Sequence, residues 1–141
     1  MSTTINQIQD EIIEEFAMFD DWMEKYEYII DLGKELPLIA EEKKTEDRLI
    51  HGCQSRVWVD ADVHEGKLQF TADSDAIITK GIISLLIRVL SNQTPADIVK
   101  SELYFIGNIG LQEHLSPTRA NGLVGMVNRL KSEGLKHLSK W

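Results

Sequence analysis

One side chain in this sequence can serve as a strong nucleophile near neutral pH: Cys53, the sole cysteine, in the run Leu49-Ile50-His51-Gly52-Cys53-Gln54-Ser55-Arg56-Val57-Trp58. A lone thiol cannot close an internal disulfide, and it has no second cysteine to resolve a dithiol redox cycle. It also falls short of the about four ligands of a structural zinc site and of the several thiolates of an iron–sulfur cluster. The other histidines, His64, His114 and His137, fall on separate elements without paired spacing, so no metal site is expected. Gly107 and Gly110 lack the lysine and the strand context of a phosphate loop.

Two thiol chemistries survive, beside the reading of Cys53 as an inert small hydrophobe. As the nucleophile of a hydrolase or transferase, Cys53 would need a base and oxyanion donors. His51 is close in sequence, but no third residue can be assigned to orient it. As an acceptor of sulfur from another protein's persulfide, Cys53 would need a thiolate, a path to it and a surface that docks the donor. Gly52 permits unusual backbone shapes, which places the thiol at the mouth of a strand. Gln54 and Ser55 can hydrogen-bond the loop or an arriving persulfide. Leu49, Ile50 and Val57 offer apolar cover, and no basic pair flanks the sulfur, so a thiol sheltered at rest is expected.

The elements that must position this loop follow from apolar periodicity. Ile5, Ile8, Ile12, Phe16 and Phe19 recur at helical steps after a Thr3 or Thr4 cap. Asp20-Asp21 breaks that helix and caps a second, with Trp22, Tyr26, Ile29, Ile30 and Gly33 on one side, ending near Leu36-Pro37. The two are expected to form a helical hairpin, with Trp22 and Tyr26 as packing residues. Residues 37–46 are charged and aperiodic, the mark of an exposed connection. From Arg56 the chain alternates as a strand, Glu65-Gly66 turns it, and Leu68, Phe70 and Ala72 alternate on the return, predicting an antiparallel hairpin. A third strand over about Arg48 to Gly52 is weakly signalled.

Asp73-Ser74-Asp75 offers caps for a largely buried helix over about Ala76 to Leu90, the layer that covers the apolar face of the hairpin. Thr94-Pro95 starts a short helix, Tyr104 to Leu111 holds a further turn or two, and Ser116-Pro117 begins a last helix. In that helix Ala120, Leu123, Val127 and Leu130 share a face, and Arg129, Lys131, Lys136 and Lys140 approach the cation-favouring C-terminus. These elements predict an α+β fold in which a small antiparallel sheet of two or three strands packs against helices, as a single domain over residues 1–141.

The net charge of −8 is concentrated at the front: residues 1–50 carry 14 acidic and 5 basic side chains, residues 51–141 carry 9 and 10. An acidic block repels phosphate backbones, and no basic stripe is interleaved with aromatics, so nucleic acid is not expected as a partner. The longest apolar run, Gly81 to Leu90, includes Ser84 and Arg88 and belongs in a core, so no membrane span is expected. The N-terminal residues lack the basic and apolar regions of a signal peptide, and a cytoplasmic location is expected.

Several separated stretches then combine: Gly52-Cys53-Gln54-Ser55 with Val57-Trp58, Asp73-Ser74-Asp75-Ala76 with Lys80-Gly81, Thr94-Pro95 with Asp97-Ile98-Val99, and Leu115-Ser116-Pro117-Thr118-Arg119 with Gly122-Leu123. Trp22, Lys25-Tyr26, Tyr28-Ile29-Ile30 and Leu32-Gly33 add a fifth. In this order, over nearly the whole chain, they resemble the SufE family of sulfur acceptors, which includes the CsdE branch. The resemblance implies the fold shared with IscU-type scaffolds. It implies partnership with a cysteine desulfurase of the SufS type, whose pyridoxal phosphate stays on the partner, so that this chain needs no cofactor. Cys53 would take the sulfane sulfur as a persulfide, stimulate turnover and pass sulfur on to an iron–sulfur assembly scaffold. The chain lacks the additional cysteines of such scaffolds, which argues against cluster building on it.

Arg119, Asp75, Gln54 and His51 are the expected partner-contact residues. A cation at a helix start opposes the helix dipole, so stability explains Arg119 poorly, and partner contact competes with an intramolecular salt bridge. Asp75 reads on its own as a helix cap, although the resemblance places its loop beside the thiol. Whether the desulfurase is SufS-like or CsdA-like, and whether the free protein is a monomer or a homodimer, is left open. The alternative from another class is a helical adaptor that docks through the acidic first third.

Overall fold

A computed structural model of the chain describes residues 4–50 and 55–138. Helix α1 spans Ile5–Ala17 and α2 spans Trp22–Gly33. Thr4 caps α1 reciprocally with Gln7, its hydroxyl accepting from the Gln7 N–H at 3.1 Å while the Gln7 side chain accepts the Thr4 N–H at 2.9 Å. Asp21 caps α2 by accepting the Glu24 N–H at 2.9 Å. The expected hairpin of these two helices is only partly realised. Phe16 and Phe19 meet Tyr28 edge-on or tilted at 5.3 and 5.0 Å, but α2 runs chiefly along a later helix. Nor does α2 reach Leu36-Pro37, because Lys34, Glu35 and Leu36 donate to carbonyls three residues back and wind the chain out of the helix.

Strands β1, Val57–His64, and β2, Lys67–Ser74, pair antiparallel from Val57 opposite Ser74 to His64 opposite Lys67. The two residues between them, Glu65 and Gly66, both take positive φ, at 53° and 80°, the backbone of a tight type I′ turn that only glycine adopts without cost. Alternation gives the ribbon two unlike faces. Val57, Val59, Leu68, Phe70 and Ala72 are buried on one; Trp58, Asp60, Thr71 and Asp73 lie on the other.

Helix α3, Ile77–Leu90, covers the apolar face and also packs against α2, α1 and the last helix, so nearly all of it is buried. Its crossing with α2 is unusually close: a Cβ on Gly81 would stand 2.1 Å from the Ile29 carbonyl oxygen, and one on Gly33 would stand 2.9 Å from the Gly81 nitrogen. Helix α4, Pro95–Lys100, is capped by Thr94; α5, Phe105–Asn108, is one turn; and α6, Pro117–Leu138, closes the chain. Gln9 on α1 is fully buried, and its amide ties the 102–105 segment by donating to the Glu102 carbonyl at 3.0 Å and accepting the Phe105 N–H at 3.1 Å. His114 stacks on Trp22 with ring centroids 4.1 Å apart.

A partly buried ion pair links α1 to α3. Glu15 accepts both arms of the Arg88 guanidinium, at 2.9 and 2.6 Å, and also the Tyr28 hydroxyl. The Arg88 contact holds the Glu15 carboxyl below its ordinary range, while burial, then Glu15, pushes the Tyr28 phenol up to about 12. A carboxyl lowered on folding stabilises fully above its unfolded pKa and loses that contribution as pH falls through the folded one. Glu15→Gln is therefore expected to lower stability by about 1 to 2 kcal/mol at neutral pH, a figure reduced for the partial exposure of both side chains. The parent should lose stability more steeply than the variant in acid, and urea titrations across the acid range read the difference.

Candidate functional site

The segment before Cys53 is laid across the polar face of the hairpin. Pro37 and Ile39 bond the outer edge of β2 at Ala72, at 3.0 and 3.1 Å, and the chain then crosses to the outer edge of β1, where Leu49 pairs with Trp58 and the Ile50 N–H donates to the Val57 carbonyl at 2.8 Å. Charges fasten the crossing: Lys43 and Arg48 reach Asp60 at 3.2 and 3.0 Å, and Lys44 reaches Asp73 at 2.7 Å while lying 5.3 Å from the Trp58 ring centroid. Burial works to raise the Asp60 and Asp73 carboxyls, but the bonded cations outweigh it and hold both below the usual carboxylate range. The exposed connection expected over 37–46 is thus a fastened strap. Of the expected third strand over about Arg48 to Gly52, the described residues show one bridge, at Leu49, and His51 and Gly52 lie outside them.

Cys53, His51 and Gln54 lie outside the described residues. The described residues on either side of them are joined by the Ile50–Val57 bond, between residues that are 4% and 0% exposed. Asp75 guards the downstream side: its carboxylate accepts the Arg56 N–H at 3.1 Å, and its own N–H donates to the Arg56 carbonyl at 3.3 Å. This corrects the expectation that Asp75 caps α3. The capping position falls one residue later, on Ala76, which carries no side-chain cap, and it is the Ser74 hydroxyl that accepts the Ala76 N–H. Asp75 is left to hold the end of the loop.

Beside Ser55 opens a small cavity of about 60 Å³ lined by Ser55, Thr79, Ile82, Thr118, Arg119, Gly122 and Met126. It is walled by α3 and α6, and the polar residues Ser55, Thr79, Thr118 and Arg119 share its lining with the apolar Ile82 and Met126. Arg119 is the third residue of α6, is exposed, and makes no ion pair among the described residues, so the salt-bridge reading finds no support there. The structure therefore brings Asp75 and Arg119 to the same end of the loop.

Sequence reading missed Arg129. Assigned to the cation-rich end of the last helix, it instead donates to the Asp47 carbonyl at 2.7 Å and the Leu49 carbonyl at 3.3 Å, with its Nε 3.3 Å from the nearly buried Glu133. The Arg129/Glu133 spacing of one helical turn was the available signal.

The described residues on either side of the sole thiol are fastened by the Ile50–Val57 and Arg56–Asp75 bonds, and the small cavity beside Ser55 is lined by Arg119, which pairs with no acid among the described residues. The family model described as SufE, Fe-S metabolism associated domain, matches residues 10–134. The chain belongs to the SufE family. It is 40% identical over 129 residues to an uncharacterized SufE-like protein of Rhizobium meliloti, covering 88% of this chain and 92% of the relative, and 39% identical to one of Rhizobium etli, covering 88% and 87%. The solution structure of a hypothetical protein from Thermus thermophilus superposes with a TM-score of 0.77 over 94% of this chain and 96% of that one, and at 23% identity it shows the shared fold. SufE membership supports a sulfur-transfer role with a cysteine desulfurase. No helix among the described residues is long and apolar enough to cross a membrane.

Proposed function

We propose that this SufE-family protein is the sulfur acceptor of a cytoplasmic cysteine desulfurase of the SufS type and hands the sulfur on toward iron–sulfur cluster assembly. The observation that carries the reading is the sole cysteine of the chain lying in sequence between Ile50 and Ser55, whose flanking Ile50–Val57 and Arg56–Asp75 bonds are in place and beside which Ser55 and Arg119 line one cavity. In the transfer, the Cys53 thiolate attacks the terminal sulfur of the desulfurase persulfide. A new S–S bond forms at Cys53, the enzyme's S–S bond breaks, and the departing cysteine takes the electron pair and then a proton. No net oxidation occurs, and no cofactor on this chain is required. Pyridoxal phosphate belongs to the desulfurase.

Asp75 and Arg119 frame the docking surface, and His51 and Gln54, neighbours of Cys53 in sequence, are assigned to partner contact with them. Arg119→Ala is expected to weaken docking about tenfold, the order of one lost interfacial charge contact. Thermal stability should stay nearly constant, because Arg119 has no ion partner among the described residues and opposes the dipole of α6. Titration calorimetry with the desulfurase reads the first and a thermal melt the second. The function as a whole is tested by alanine release from L-cysteine. Adding this protein should raise turnover of the desulfurase; a rate equal to that of the desulfurase alone would refute the reading and favour an adaptor docking through the acidic α1 and α2.

A further inference from the structure

Helix α6 meets the cysteine loop at both ends along one stripe. Arg119, Gly122, Met126, Arg129 and Glu133 follow one another at steps of three and four, so they share a face of the helix. The first three line the cavity at Ser55, where the loop ends. The fourth grips the carbonyls of Asp47 and Leu49, where the loop begins. A guanidinium is planar and presents its donors in a fixed fork, so two carbonyls held by its two terminal nitrogens are set in place relative to each other and to α6. Glu133 fixes the fork in turn: it is 9% exposed, bonds the Arg129 Nε and also pairs with Lys136.

We propose that Arg129, oriented by Glu133, is a positioning residue for Cys53, fixing the upstream end of the loop against the same helix that carries Arg119. This rests on the sulfur-acceptor reading and extends it to a residue whose bonds go to the backbone upstream of Cys53. With Arg129 in place, a desulfurase held by Arg119 meets a loop whose origin is fixed on the same rigid rod. Without it, docking and thiol placement are no longer referred to one helix. The strap would remain attached through Arg48, Lys43 and Lys44, so the fold should survive while the placement of the thiol loosens.

The test uses the full chain with Arg129→Met, which keeps the stem and removes the fork, and with Arg129→Met combined with Glu133→Met, which avoids leaving a nearly buried carboxylate uncompensated. Arg129→Lys keeps the charge without the fork. Maximal transfer from a persulfidated desulfurase should fall at least about tenfold in both Met-containing variants, with the concentration for half-maximal rate little changed, since misplacement of a reacting group costs rate rather than docking. Arg129→Lys should recover only a fraction of the loss. Alkylation of Cys53 by iodoacetamide in the folded protein should shift several-fold in the same variants. Transfer and alkylation rates equal to the parent's in the double variant, or full rescue by lysine, would overturn the proposal. If the parent itself takes no sulfur, the acceptor reading fails, and the alkylation comparison still decides the role of Arg129.

Discussion

A Cys53→Ser variant is expected to bind the desulfurase as the parent does and to give no stimulation of alanine release, the largest functional effect of any single substitution here. The change replaces one sulfur by oxygen and leaves Arg119, Asp75 and the strap untouched. A serine hydroxyl is scarcely ionised near neutral pH and is a far weaker nucleophile than a thiolate, so it cannot open a persulfide. Binding and turnover should therefore separate: affinity by calorimetry at the parent's level, and alanine release at that of the desulfurase alone. Stimulation by the serine variant equal to the parent's would mean that docking by itself activates the enzyme, which is how an adaptor acts.

Gly81→Ala should be the most damaging change to the fold, by about 3 kcal/mol or more, at the upper end of overpacking costs. Helix propensity alone predicts the opposite sign, since alanine is favoured over glycine inside a helix by about 1 kcal/mol. Packing decides the matter. The new methyl would stand 2.1 Å from the Ile29 carbonyl oxygen and 2.7 Å from the carbonyl carbon, and backbone atoms cannot rotate away as a flexible side chain can. Helices α2 and α3 would have to separate, and because Thr79 and Ile82 of α3 line the cavity beside the loop, the displacement would reach the site. Gly33→Ala should cost less, its nearest contact being 2.9 Å. Urea unfolding of the pair reads the order, and an unchanged or raised midpoint for Gly81→Ala would contradict the packing account.

The elements were legible where a local rule acts alone. Alternation about Glu65-Gly66 fixed the hairpin and its turn, and the Thr94-Pro95 and Ser116-Pro117 pairs marked the starts of α4 and α6. Tertiary choices were not. Asp75 carries the right side chain for a cap, but one residue too early in the chain, and only the register of β1 against β2 shows that its carboxylate meets Arg56 instead. The segment 37–50 lacks any period because its order comes from ion pairs and isolated bridges to both edges of the hairpin, a pattern without a repeat in sequence. The expected hairpin of α1 and α2 gave way because Gly33 and Gly81 draw α2 against α3, and a glycine advertises a close approach without naming what approaches. Of the candidate site, Cys53 and Arg119 were singled out by residue type and motif, and of the two the structure describes Arg119, at the cavity beside Ser55. The grip of Arg129 on two backbone carbonyls some 80 residues earlier was not legible, because carbonyls carry no residue signature.

Intact-mass analysis of the full chain after incubation with a SufS-type desulfurase and L-cysteine tests the central claim most directly, since Cys53 is the only thiol that can carry added sulfur. The account predicts a gain of one or more sulfur atoms, located at Cys53 by peptide mapping, removed by a thiol reductant and absent from Cys53→Ser. An unmodified mass, under conditions in which the desulfurase itself carries a persulfide, would contradict it.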